Sequence, residues 1–180
     1  LLRHKADCNG IVYLSAYFRL TDVSLEELTR LSLATSLLGK LPTANYPDTA
    51  DLQSAVKTHL GNLSFKIDTF SKLGQTETCT PYLVAQCSVL KENLEKAWEL
   101  IPQILTTTDF DQPQRIREIL LQTETEQQQR GMMAGHMLAF KAALAQFSAG
   151  SAVQEAISGD GEANLRTDLF HRKGVNAPRG

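Results

Sequence analysis

Cysteine is scarce: Cys8, Cys79 and Cys87 form an odd set without C-x-x-C spacing, which excludes a zinc ribbon or redox loop built on such a pair. They read as small core residues of a protein kept in a reducing compartment. Histidine is no better placed. His4, His59, His136 and His171 never pair at i, i+4, and none stands in an H-E-x-x-H or H-x-x-E-H arrangement. His136, just after Gly135, reads as a hydrogen-bonded structural imidazole, since nothing supplies the other ligands that zinc needs. A glycine-rich phosphate loop is missing, for Gly131 and Gly135 frame methionines in helical sequence. Gly150-Ser151 lacks the apolar strand on which a nucleophile elbow sits. Nor is there an excess of positive charge: 18 basic and 20 acidic residues give a net charge of -2, with Lys and Arg spread evenly, so no stripe exists to neutralise nucleic-acid phosphates. No apolar run reaches the roughly 18 residues of a membrane span, and no signal-peptide pattern opens the chain.

The remaining candidates have plain structural readings. Glu124 and Glu126 point about 200 degrees apart on a polar helix, so they make a solvated face rather than an acid/base pair. Met132, Met133 and Met137 read as core filler. Residue chemistry therefore nominates no catalytic, cofactor-binding or metal-binding residue in this chain.

What is there is a folding pattern. Hydrophobic residues at 42% and charged residues at 21% are ordinary for a globular domain, and 180 residues suffice for one domain with a substantial core. From Gly10 to Leu20, Val12, Leu14, Ala16, Phe18 and Leu20 share one face and Tyr13, Ser15, Tyr17 and Arg19 the other, which predicts a half-buried strand. Ser24 and Glu27 have capping-box spacing for a helix from Leu25 to Leu38, whose stripe is Leu28, Leu31, Thr35 and Leu38, and Gly39 stops it. Asp48 caps a second helix through about Thr58, and Gly61-Asn62 breaks the chain. Leu63 to Phe70 and Pro81 to Leu90 alternate as two hairpin-paired strands.

A third helix, Leu94 to Leu105, carries Leu94, Trp98, Ile101 and Leu105 at helical spacing, with Pro102 expected to kink or shorten it. Asp109, Asp111 and Pro113 start a fourth, with a buried stripe at Ile116, Ile119, Leu120 and Thr123 and a stretch from Glu124 to Arg130 that is polar all round and expected to project or to face a partner. Gly131 and Gly135 are expected to interrupt it before further helix at His136 to Phe147 and Ala152 to Ile157. The expectation is an α+β fold, a mainly antiparallel sheet covered on one side by helices. Residues 1–158 are expected to form one domain. Beyond Gly159 periodicity fades, and 159–180, with Arg166, Arg172, Lys173 and Arg179 scattered through it, reads as a tail, linker or appended extension. The opening Leu1-Leu2-Arg3, without a Met, suggests a piece of a longer polypeptide.

Dispersed stretches carry a resemblance. Asn9-Gly10-Ile11-Val12-Tyr13-Leu14, Tyr17-Phe18, Leu31-Ser32-Leu33, Ser36-Leu37-Leu38-Gly39, Tyr46, Gly61-Asn62-Leu63-Ser64-Phe65, Leu90-Lys91-Glu92-Asn93-Leu94, Thr108-Asp109-Phe110-Asp111 and Gly135-His136 resemble, in this order, the third domain of presequence proteases. These are zinc metallopeptidases of the insulinase/pitrilysin superfamily. The resemblance implies a clamshell of four similar domains enclosing a chamber where unfolded peptides are cut, with zinc held by H-x-x-E-H in the first domain. Laid on the Leu25 to Leu38 helix and anchored on Gly39, that motif puts Arg30 and Ala34 in the histidine slots and Leu33 in the place of the general base. None of the three can ligate zinc or activate water. The resemblance thus implies a non-catalytic domain that shapes a chamber wall and the contact between halves. Its partners would be the other domains and unfolded peptides, not nucleic acid or membrane, in the cytoplasm or an organelle matrix; alone it would expose apolar interface and self-associate. The alternative is a structural subunit of the same fold without a proteolytic parent.

Overall fold

The computed structural model describes residues 2, 4 and 8–158, without the side chains at 124, 127–138 and 141–142. The turn at Gly159-Asp160-Gly161, the following tail and His171 lie outside the described residues, as do the side chains of Glu124, Met132, Met133, His136 and Met137. The element order is β1 (Ile11–Arg19), α1 (Leu25–Leu37), α2 (Thr49–His59), β2 (Leu60–Phe70), β3 (Thr80–Leu90), a short 3-10 turn, α3 (Leu94–Thr107), α4 (Pro113–Leu144) and α5 (Ala149–Ser158). The fold is α+β, with a three-stranded antiparallel sheet in the order β1-β3-β2. Leu20 N–H donates to the Pro81 carbonyl and Lys91 N–H to the Gly10 carbonyl, both at 3.0 Å, which pins β1 antiparallel to β3 at its two ends. Among the described residues no helix is long and apolar enough to cross a membrane.

Two compact units divide the chain, and the division falls within each strand. The first contains the chain through Tyr17, Leu38–Phe65 and Val84–Gln112. Its core joins Leu52 of α2, Leu60 of β2, Ala85, Cys87 and Val89 of β3, and Ala97, Leu100, Ile101 and Ile104 of α3, with Val12, Leu14 and Ala16 of β1 packed against them. The alternation expected in β1 is present as far as Tyr17: Val12, Leu14 and Ala16 turn inward while Tyr13 and Tyr17, 69% and 53% exposed, stand on the opposite face, but Phe18, expected inward, is 46% exposed. Asp48 caps α2 by accepting the Ala50 N–H at 2.8 Å.

Three expectations in this unit are corrected. Gly61-Asn62 does not break the chain but lies in β2, where Leu60 and Leu63 both pack on the core, so the alternation slips by one between them. A Cβ at Gly61 would sit 2.9 Å from Ser88 Oγ, and glycine lets the strands approach. Pro102 neither stops nor shortens α3, which continues to Thr107. Pro102 is exposed, as is Trp98 one turn before it, so the carbonyl left without a donor can be solvated. Finally, Trp98 is 57% exposed: the buried stripe of α3 is Ala97, Leu100, Ile101 and Ile104.

The second unit contains Phe18–Leu37, Lys66–Leu83 and the chain from Pro113. Its cluster joins Leu28 of α1, Ile67 of β2 and Ile157 of α5, with Leu20, Val23, Leu31, Leu83 and Val153 around it. α5 packs on both α1 and α4. α4 is one continuous helix of 32 residues. The expected interruption at Gly131 and Gly135 is therefore wrong, because an interior glycine costs a helix only about 1 kcal/mol against alanine and the residues around these two favour helix.

Candidate functional site

The first place to test is α1, whose start is built as its sequence implies. Ser24 N–H and Oγ both donate to Glu27 Oε2, at 2.8 and 2.7 Å, and Glu27 N–H donates back to Ser24 Oγ at 3.3 Å. The Ser24 hydroxyl and N–H hold the Glu27 carboxyl below its ordinary range, because both bonds favour the charged form. One turn on, the Arg30 guanidinium pairs with Glu26 on an exposed surface. Leu33 is only 6% exposed and Ala34 is half-buried.

The buried surface of α1 is wider than its sequence stripe. Leu28 and Thr35 lie on one side, while Thr29, Leu33 and Leu37 add a second side. Thr29 belongs there because its hydroxyl donates to the Leu25 carbonyl at 2.9 Å. A guanidinium, an isobutyl group and a methyl group supply no lone pair for a divalent cation, so these three positions do not fit zinc. Among the described residues no group of three or more His, Cys, Asp or Glu side chains could hold a metal ion. His4 is exposed and His59 is half-buried at the end of α2. The three cysteines are free thiols, and burial pushes those of Cys79 and Cys87 up.

A second feature gave no sequence signal. Where α5 begins beside the end of β2, Asp68, Thr69, Ser71, Ser148, Ser151, Gln154 and Glu155 line a cleft of about 380 Å³. Gly150 allows the approach: a Cβ there would meet Thr69 Oγ1 at 3.4 Å and Ser71 Oγ at 3.6 Å. Thr69 Oγ1 donates to the Gly150 carbonyl at 3.2 Å, and Gln154 Nε2 donates to Asp68 Oδ1 at 3.3 Å. Asp68 Oδ2 also pairs with Lys66 Nζ at 2.9 Å. The Ser151 hydroxyl accepts from Ser148 Oγ at 2.8 Å in the first turn of α5. Glu155 differs from its neighbours, for its Oε2 is enclosed and has no hydrogen-bond partner among the described residues.

With this geometry in view, the relatives are informative. Residues 1–169 match the family described as associated with peptidases of family M16, subfamily C. Protein HypA of Clostridium perfringens (strain 13 / Type A) is 30% identical over 158 residues, which is 88% of this chain and 16% of that protein. The chain thus spans about a sixth of the length of this curated relative. A match to nearly the whole chain carries the assignment: the chain belongs to this family of domains associated with the subfamily C peptidases.

Proposed function

We propose that the chain is a non-catalytic domain of a peptide-degrading zinc metalloendopeptidase, forming part of the wall of a closed substrate chamber and of the contact between its halves. The observation that carries this reading is the chemistry of α1. In the slots where a working sister domain would place two metal ligands and a base stand Arg30, engaged with Glu26, Leu33, packed inside, and Ala34. Family membership supports the peptidase context. The zinc would be held by another domain of the parent, and the substrates would be unfolded peptides. The free thiols favour a reducing compartment, the cytoplasm or an organelle matrix. Exposed Leu73, Phe147, Phe140, Tyr13 and Trp98 favour association, with the other domains in the parent and with itself when alone.

The test is direct. The purified chain, incubated with one equivalent of zinc and an unstructured reporter peptide, is expected to retain no zinc after gel filtration and to leave the peptide intact. Stoichiometric zinc together with cleavage would overturn the reading. A parent reading frame without H-x-x-E-H upstream would turn it instead toward a structural subunit.

A further inference from the structure

We draw no further inference here: the strongest candidate, the exposed outer face of β1 around Tyr13, carries nothing, because nothing in the structure shows what covers it.

Discussion

On the proposed reading Leu33 stands where a catalytic sister would carry its base, and Leu33→Glu asks whether the helix could take one. Leu33 is 6% exposed. Losing the buried isobutyl group costs about 2 kcal/mol of transfer free energy. Enclosing a carboxyl without a designed partner adds on the order of 2–3 kcal/mol. The total, about 4–5 kcal/mol, is a large part of the roughly 5–15 kcal/mol that holds a domain together. For a chain of this size it lowers the melting temperature by about 10–15 °C. Burial raises the pKa of the new carboxyl above its unfolded value. The penalty is therefore greatest at neutral pH and fades as pH falls below the ordinary carboxylate range, where both states are protonated. Arg30→His, at a pair whose side chains are 58% and 73% exposed, is the control and costs about 0.5 kcal/mol or less. Thermal melts followed by circular dichroism at neutral and acidic pH supply the readout. A Leu33→Glu variant within about 1 kcal/mol of wild type would show that this slot is not committed to packing, and would remove the main support for a non-catalytic role.

Three further outcomes are expected. In α3, Ile104→Ala costs about 2–5 kcal/mol in urea titration while Trp98→Ala changes stability by about 0.5 kcal/mol; the opposite ranking would mean the helix is rotated. Gly61→Ala destabilises by about 1 kcal/mol, because its Cβ would lie 2.9 Å from Ser88 Oγ, and adding Ser88→Ala recovers most of the loss; a double-mutant cycle without coupling would contradict the contact. Ser24→Ala removes the cap of α1 at a cost of about 1 kcal/mol. Because the native contacts lower the Glu27 pKa, they stabilise above the unfolded carboxylate value and lose that effect as pH falls through the folded one. The difference between Ser24→Ala and wild type is therefore expected to shrink in acid, and a pH-independent gap would refute the box.

Local chemistry made much of this fold legible. The two-residue period of Val12, Leu14 and Ala16, the box of Ser24 and Glu27 and the cap at Asp48 each act within a few residues, and each is found where its spacing implies. Errors arose where a local rule met a tertiary circumstance. Pro102 does not end α3, because it falls on a solvated side of the helix, and Gly61 serves a neighbouring strand rather than a turn. The cleft was invisible for another reason: Asp68 and Thr69 lie far along the chain from Ser151 and Glu155, and no spacing rule joins the two pairs.

By itself the sequence determined the α+β class, the order of elements and the absence of donor atoms at Arg30, Leu33 and Ala34, because these follow from residue type and near-neighbour periodicity. Only the tertiary structure decided that α1 is buried on two sides, so that Leu33 is core rather than surface, and that the end of β2 and the start of α5 meet in a cleft. Burial and hydrogen-bond satisfaction depend on segments that meet only after folding, and no one-dimensional pattern records them.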